Sequence, residues 1–196
     1  KPGSVGRARK GELHVVDDQA RELPAGATGL VCFSGIAPFE YYKAPEKTRA
    51  RTQPQGWQTF GDIGHVDADG YLYLTDRADD MIISGGVNVY PQEIERVIAA
   101  TPGVWECAVV GVPDSRFGER PVAFIVAERG GGLESAALLD AVRGACERDL
   151  GRFKRPVAFF TIERLPRSPT GKLIRRELRE VVLFADANGG WSTHQV

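Results

Sequence analysis

The sequence has little cysteine and almost no net charge. Its 196 residues include three cysteines, Cys32, Cys107 and Cys146, and none of them forms a C-x-x-C pair. Their odd number and wide spacing argue against a zinc site and a disulfide framework, and they fit a reducing, cytoplasmic compartment. Because the formal net charge is only −1, no overall field favours nucleic acid or a membrane surface.

The sequence also lacks any long apolar run. A membrane-spanning helix needs about 20 consecutive apolar residues, and no run approaches that length. The first residues show no charged-then-apolar signal pattern. We therefore predict no transmembrane segment and a cytoplasmic location. The composition is 42% hydrophobic and 26% charged, which is ordinary for a globular protein.

The first third of the chain predicts short strands and turns. Residues 12–16, 29–33, 63–66 and 71–75 are strand candidates. The sequence Asp67-Ala68-Asp69-Gly70 between the last two is a strong hairpin signal, because Asp and Gly tolerate the turn dihedral angles. We assign residues 1–77 to a small antiparallel β piece at the end of a larger domain.

After residue 77 the pattern becomes α+β. A helix is expected to open at Tyr90-Pro91 and to stop at Pro102-Gly103. Further helices are predicted at residues 135–150 and 175–184, and strands at residues 104–112, 122–127 and 157–162. We expect a compact α+β domain over residues 81–185 with a three-stranded sheet and flanking helices, preceded by a hinge at residues 78–80 and followed by a tail at 186–196.

Two acidic segments stand out. Asp62 lies among glycines just before a predicted strand, where a carboxylate can approach a ligand and accept hydrogen bonds from two ribose hydroxyls. A turn-capping aspartate explains the same pattern, and this segment alone favours the turn. Residues 76–80 combine three acids and an arginine at the change of pattern, which indicates either a domain hinge or a solvated turn. Gly85-Gly86 then offers bare backbone for close approach of a thin ligand, or simply a bend.

Two basic segments follow. Residues 152–155 place three cations around Phe153, a combination that can bind a phosphorylated adenine ligand. A basic loop after a helix end is an equally good interpretation. Lys172 lies on a loop framed by proline and glycine, which suits a cation on a long arm that visits a phosphate. The loop is not a Walker A motif, since Pro166 replaces its first glycine and Leu173 its Ser or Thr.

Taken together, these segments resemble the C-terminal signature blocks of the superfamily of acyl-CoA synthetases, peptide-synthetase adenylation domains and luciferases. The similarity covers about residues 1–180 and is greatest for fatty-acid and aromatic-acid CoA ligases. Residues 57–64, 76–95 and 166–175 match in order and spacing. The resemblance implies ATP-dependent adenylation of a fatty or related acid, usually with Mg²⁺, followed by thioester formation with coenzyme A.

The resemblance also implies roles for single residues in adenylation. Asp62 would bind the ribose hydroxyls, and Arg77 would support the ribose and phosphate side. Asp79 would be the hinge about which the C-terminal domain turns between the half-reactions. Lys172 would be the catalytic residue, contacting the α-phosphate and carboxylate oxygens. No metal ligand is expected within this chain.

For coenzyme A, the resemblance implies that Gly85 and Gly86 line the pantetheine tunnel. Phe153, Lys154 and Arg155 are weaker candidates for contacts with the cofactor. One departure is Phe60, which stands where the family usually has threonine. A larger departure is that the pyrophosphate loop, the Tyr-Gly-x-Thr-Glu segment and the acid pocket normally lie upstream, so we expect this chain to be a C-terminal portion.

Two other functions remain open. The enzyme could load a carrier protein instead of free CoA, although no carrier-like segment follows the last predicted helix. The chain could also be an inert docking or regulatory fragment. Independently of these, the family resemblance makes Lys172 a candidate target for a protein lysine acetyltransferase.

The first prediction concerns the chain alone. If the upstream blocks are needed, the isolated 196-residue chain should not form acyl-AMP from any acid. ATP–pyrophosphate exchange measures this step directly, with a complete acyl-CoA ligase as the positive control. Exchange catalysed by the pure chain would contradict the expectation.

Overall fold

The computed structural model describes residues 1–8, 12–128 and 135–187. It divides into two compact units, Lys1–Asp79 and Asp80–Val196. The α+β class is confirmed, with sheets in both units and helices concentrated in the second. Within the described ranges, every helix is too short or too polar to cross a membrane.

The first unit is a five-stranded antiparallel sheet with strand order β1-β5-β4-β3-β2. Its elements are β1 Gly6–Arg7, β2 Leu13–Val16, β3 Gly29–Phe33, α1 Pro45–Ala50, β4 Asp62–Val66 and β5 Tyr71–Arg77. The predicted hairpin between β4 and β5 is confirmed. Asp67 Oδ1 accepts the N–H groups of Asp69 and Tyr71, both at 2.9 Å, and Gly70 takes a positive φ of 83°. Helix α1 was not predicted.

A bulge in this hairpin brings its two ends together. The register between β4 and β5 shifts at Ile63/Gly64, so that Asp62 comes to lie opposite Arg77. Glycine is required at position 64 because a Cβ there would lie 2.4 Å from the carbonyl oxygen of Tyr73.

The second unit contains a mixed five-stranded sheet, so the predicted count of three strands was wrong. Its elements are β6 Ile82–Ser84, β7 Val87–Val89, α2 Pro91–Ala99, β8 Val104–Asp114, β9 Gly118–Ala127, α3 Ser135–Asp149, β10 Ala158–Thr161 and α4 Arg175–Ala187. The extra strands β6 and β7 form a hairpin whose two loop residues, Gly85 and Gly86, have φ of 59° and 79°. A Gly-Gly pair is a known signal for this turn, but the flanking strands have only three residues each.

Strands β8 and β9 form the longest ladder of this sheet and are longer than predicted. They pair antiparallel along their whole length, while β10 runs parallel to the other edge of β9 and β6 meets that edge at Gly118. The connection between these two strands is therefore only three residues long, residues 115–117. The side chain of Asp114 is the reason, because its Oδ1 accepts the N–H groups of Arg116 and Phe117, both at 2.8 Å.

Helices cover both faces of the second sheet. Alternate residues of β9 point to opposite sides, with Ile125 in one buried cluster and Phe124 in the other. Helices α2 and α3 cover the first face and α4 the second. The apolar residues of α2 and α3 pack on the first face: Ile94, Ile98, Leu138, Val142 and Cys146 are buried, and Val97 and Leu139 are partly buried.

The helices also differ from the prediction at one end. Helix α4 continues to Ala187 instead of stopping at residue 184. Most of the predicted tail, residues 188–196, lies outside the described residues.

Two adjacent valines on α4 test this packing. Val182 is 1% exposed and Val181 is 57% exposed. Val182→Ala should lower the free energy of unfolding by about 2 kcal/mol more than Val181→Ala, because it removes two buried methyl groups and leaves a cavity. The gain in helix propensity is common to both variants. Denaturant unfolding followed by circular dichroism measures the difference, and equal effects would contradict this placement of α4.

Candidate active site

Asp62 and Arg77 form an ion pair at the end of the β4–β5 hairpin. Arg77 Nη1 donates to Asp62 Oδ1 at 2.9 Å, and Nη2 donates to the carbonyl of Phe60 at 3.0 Å. The side chain of Asp62 is 24% exposed and that of Arg77 is 52% exposed. In the described part of the chain, Asp62 Oδ2 has no hydrogen-bond partner, so it can accept hydroxyl donors from a ligand.

The turn before Asp62 is held by Thr59. Its hydroxyl donates to the carbonyl of Val31 at 2.7 Å and accepts the N–H of Gly61 at 3.0 Å. Phe60, the departure from the family pattern, stacks on Phe39 with ring centroids 5.0 Å apart. The unusual residue at position 60 therefore packs within an aromatic pair and leaves the Asp62 carboxylate where the hairpin holds it.

Arg51 is a residue that sequence reasoning missed. Its side chain is 11% exposed and its Nη2 lies 2.5 Å from Asp79 Oδ2. The guanidinium also lies against Gly61, where a Cβ would be 2.1 Å from Arg51 Nη1. No local pattern signals this contact, because Arg51 and Asp79 are 28 residues apart and only the folded unit brings them together.

Gly85 lies against two aromatic rings in the second unit. A Cβ on Gly85 would lie 2.9 Å from Phe153 and 3.3 Å from Phe117. These two rings meet edge to face with centroids 6.1 Å apart. The structure therefore brings the predicted residues Gly85 and Phe153 together. A Cβ on Gly86 would meet no atom within 4 Å.

A cavity of about 440 Å³ opens beside these rings. Five arginines line it together with Phe117, Phe153 and Phe159; they are Arg116, Arg120, Arg143, Arg152 and Arg155. The guanidinium groups of Arg116 and Arg120 lie 5.1 and 5.2 Å from the centroid of the Phe117 ring. Cations stacked on aromatic rings can bind phosphate and an aromatic base in the same place.

The basic segment that was predicted to bind a ligand divides into two groups. Phe153 and Arg155 line the cavity, but Lys154 does not. Lys154 Nζ donates to both carboxylate oxygens of Glu93, at 2.7 and 2.8 Å. Arg155 donates to two backbone carbonyls at the end of α3, which fixes its guanidinium in place. Arg116, in the β8–β9 loop, and Arg120, near the start of β9, were missed because both are distant in sequence from residues 152–155.

Lys172 projects from a small hairpin whose backbone is closed by hydrogen bonds. Ser168 N–H donates to the carbonyl of Lys172 at 2.8 Å, Gly171 N–H to that of Ser168 at 2.8 Å, and Ile174 N–H to that of Pro166 at 2.9 Å. The side chain of Ser168 accepts the N–H of Lys172 at 3.2 Å. Within the described ranges, Lys172 Nζ makes no hydrogen bond or ion pair, so its charge is available to a ligand.

The cysteines do not offer a nucleophile. Burial raises the pKa of Cys32 and Cys146 to about 11 and that of Cys107 to about 12. Thiols with such a high pKa are almost entirely protonated at neutral pH and react slowly.

The sequence matches known proteins over most of its length. Residues 93–172 match the family described as AMP-binding enzyme C-terminal domain. The chain is 41% identical over 177 residues to a sulfoacetate–CoA ligase of Cupriavidus necator, which covers 90% of this chain and 34% of that protein. It is 45% identical over 167 residues to the fatty acid–[acyl-carrier-protein] ligase ScoC of Streptomyces coeruleorubidus, covering 85% and 31%, respectively.

A solved structure gives the same result. ATP-bound MatB from Rhodopseudomonas palustris superimposes with a TM-score of 0.76 at 37% identity, over 92% of this chain and 36% of that one. The chain belongs to the adenylate-forming superfamily. It matches the C-terminal portion of these enzymes and spans about a third of the length of the curated relatives it matches, 34% and 31% for the two ligases above.

The adenylate-forming resemblance predicted from the sequence is therefore confirmed. The match to the family includes Lys172 at its last residue and also covers Phe153, Lys154 and Arg155. The other proposed site residues precede residue 93, where the family match begins, but they lie in the part of the chain that aligns with the relatives and with MatB. They are Asp62, Arg77, Asp79, Gly85 and Gly86.

Proposed function

We propose that the chain is the C-terminal part of an ATP-dependent acid–CoA ligase. In the first step a carboxylate oxygen attacks the α-phosphorus of ATP, the bond to pyrophosphate breaks, and acyl-AMP forms. In the second step the thiol of CoA attacks the acyl carbon, a C–S bond forms, and AMP leaves. The observation that carries the proposal is an exposed ammonium without a partner in the described chain, Lys172, on a hairpin closed by hydrogen bonds.

The residues around Lys172 suit the first step. A fixed cation beside the α-phosphate offsets the negative charge that develops on the phosphoryl oxygens as the carboxylate attacks. Because the backbone of the loop is closed, only the flexible side chain needs to be ordered when substrate binds. This geometry supports the proposed role of Lys172 as the catalytic cation.

Asp62 and Arg77 are proposed to hold the nucleoside of ATP. The second carboxylate oxygen of Asp62 is not used in the pair with Arg77 and suits a ribose hydroxyl. Arg77 retains unused guanidinium donors for the phosphate side. The described residues contain no group of three or more His, Cys, Asp or Glu side chains that fits a metal ion. We propose that magnesium enters with ATP.

Asp79 is proposed as the hinge between the two half-reactions. It lies in a single 3₁₀ turn, Ala78–Asp80, at the boundary between the compact units. A few residues at the end of an element can absorb the dihedral changes of a domain rotation. This assignment divides the chain into residues 1–77, the hinge at 78–80, and a mobile domain at 81–185.

The arginine-lined cavity is proposed as the site for the nucleotide end of CoA. Coenzyme A carries an adenine and three phosphates, which match the rings of Phe117 and Phe153 and the surrounding guanidinium groups. Gly85 lies next to both rings and leaves room for the pantetheine arm, with Gly86 beside it. Arg155 lines the cavity, whereas Lys154 would act only after release from Glu93.

The acid is proposed to be a fatty or related acid. Support comes from the similarity to ScoC, which is named for a fatty acid, although the sulfoacetate–CoA ligase is named for a different acid. The similarity to ScoC also favours a second candidate function, transfer of the acyl group to a carrier-protein thiol. Both acceptors present the same thiol chemistry, and a protein acetyltransferase that neutralised Lys172 would block the adenylation step in either case.

The decisive experiment measures AMP release by the full-length ligase, meaning this chain joined to its N-terminal adenylation portion. A panel of short, medium, long-chain, aromatic and steroid-like acids is tested with CoA or with a carrier protein. Lys172→Ala should lower ATP–pyrophosphate exchange about 10²–10³-fold, the usual cost of removing a charge-stabilising group from a transition state. The exposed Arg176 provides the control variant Arg176→Ala, because within the described ranges it pairs only with Glu180 on the same helix.

Each outcome decides between the candidates. AMP release that requires CoA would establish the acid–CoA ligase and identify the acid it uses. AMP release only with the carrier protein would establish acyl transfer to a carrier-protein thiol. Pyrophosphate exchange that is unchanged in Lys172→Ala would refute the catalytic role of Lys172. Absence of exchange with every acid would favour the inert fragment.

A separate variant tests the CoA site. Phe153→Ala should raise the KM for CoA about tenfold, because loss of a base–aromatic stack costs about 1–3 kcal/mol. The rate of acyl-AMP formation should not change, since the cavity is not used in that step. Steady-state kinetics at saturating ATP and acid measure the KM, and the exposed Trp105 (74%) provides the control variant Trp105→Ala. An unchanged KM in Phe153→Ala would exclude this cavity as the nucleotide site.

A further inference from the structure

Arg175 is the first residue of α4 and lies three positions after Lys172. Its side chain is only 17% exposed. Nη1 donates to Glu95 Oε1 at 2.6 Å and to the carbonyl of Val109 at 2.8 Å, and Nη2 donates to Glu95 Oε2 at 3.3 Å. Nε lies 3.4 Å from Asp80 Oδ2. One guanidinium thus contacts three separate segments of the second unit.

The partners of Arg175 are themselves fixed. Glu95 lies on α2, is 17% exposed, and accepts the N–H of Val109 at 2.8 Å. Val109 is fully buried in strand β8. Asp80 is 34% exposed and follows the proposed hinge residue Asp79. A planar guanidinium can satisfy a carboxylate, a carbonyl and a second carboxylate at once.

The Lys172 hairpin is therefore held at both of its ends. On one side Arg167 pairs with Glu106 of β8 and donates to the carbonyl of Gly171 at 2.8 Å. On the other side Arg175 joins the hairpin to β8, to α2 and to Asp80. Within the hairpin, Arg167 and Leu173 form an isolated β-bridge.

We propose that Arg175 is a positioning residue for adenylation, which fixes the base of the hairpin so that Lys172 is presented at a set distance from Asp80 and β8. The inference rests on the proposed function, because it assigns a support to the proposed catalytic cation. Arg175 itself is partly buried, and its guanidinium is bonded to protein groups. Its effect therefore passes through the position of Lys172.

The test uses the full-length ligase with Arg175→Lys, which keeps the charge but loses the bidentate geometry. A catalytic group displaced by about 1 Å can cost about 10²-fold in rate. We expect the kcat of ATP–pyrophosphate exchange to fall about 10- to 100-fold while the KM for ATP changes less than about twofold. Thioester formation from supplied acyl-AMP and CoA should be retained, because Lys172 is not used in that step.

The neighbouring residue offers a matched control. Arg176 is on the same helix, is 80% exposed and, among the described residues, pairs only with Glu180 at 3.6 Å. Arg176→Lys should change neither half-reaction. A loss of both half-reactions in Arg175→Lys, together with a large fall in Tm, would mean that Arg175 only stabilises the fold and would overturn the proposal.

A double-mutant cycle tests whether Arg175 acts through Lys172. In the Lys172→Ala background, Arg175→Lys should cause no further loss of exchange, because residues that act as one unit are not additive. If the two substitutions instead lower pyrophosphate exchange independently, so that their fold-losses multiply in the double variant, the proposal is overturned. A variant that lacks Glu95, the main partner of Arg175, but still shows the wild-type rate of pyrophosphate exchange would also overturn the proposal.

Hydrogen exchange supplies a readout that does not depend on activity. The amides of Gly171 and Ile174 are bonded within the hairpin, and they should exchange at least about tenfold faster in Arg175→Lys than in Arg176→Lys. Unchanged protection would overturn the proposal even if activity fell. If the wild-type ligase shows no ATP–pyrophosphate exchange, the proposed function fails and the positioning role of Arg175 in adenylation fails with it. The hydrogen-exchange data still decide whether Arg175 holds the hairpin.

Discussion

The antiparallel pairing of β8 with β9 is the interaction on which the second unit depends. The two strands share a ladder from Val104 and Ala127 to Asp114 and Gly118, and their side chains supply both buried clusters. Because the period of a strand is two residues, a sheet covered on both faces needs apolar residues at nearly every position. β9 meets this need with the buried run Pro121–Val126, so α2 and α3 can pack on one face and α4 on the other.

The groups with chemical interest lie at the ends and edges of this framework. The hairpin that carries Lys172 lies between β10 and α4, and its flanking arginines contact β8 through Glu106, Glu95 and the carbonyl of Val109. The rings of Phe117 and Phe153 lie at the opposite end of the ladder, where β8 turns into β9. The β8–β9 ladder with polar groups at its margins provides fixed positions for the Lys172 hairpin and for the arginine-lined cavity.

Local patterns predicted the elements of the fold well where a single physical signal dominated. Strand β3 at Gly29–Phe33 agrees with the prediction, and the Asp67–Gly70 turn forms as its residues require. Helix α2 begins at Pro91, whose fixed φ suits the first turn. Strands β6 and β7 were missed because three residues are too few to show a period, and they become strands by pairing with each other and by contact of β6 with β9.

The residues that would carry the chemistry were identified from the sequence through the order and spacing of their segments, and the superfamily was identified in the same way. The sequence by itself thus determined the superfamily and the α+β class and gave Asp62, Arg77 and Lys172 as proposed site residues, because each depends on residue type and on near neighbours in the chain. Only the tertiary structure decided that Lys154 pairs with Glu93 and that Arg116 and Arg120 line the cavity. It also decided that Arg51 pairs with Asp79 and that Arg175, at the base of the Lys172 hairpin, pairs with Glu95. Those contacts link residues from 28 to 80 positions apart, and ion pairs and cavities at such separations arise from packing that no local pattern encodes.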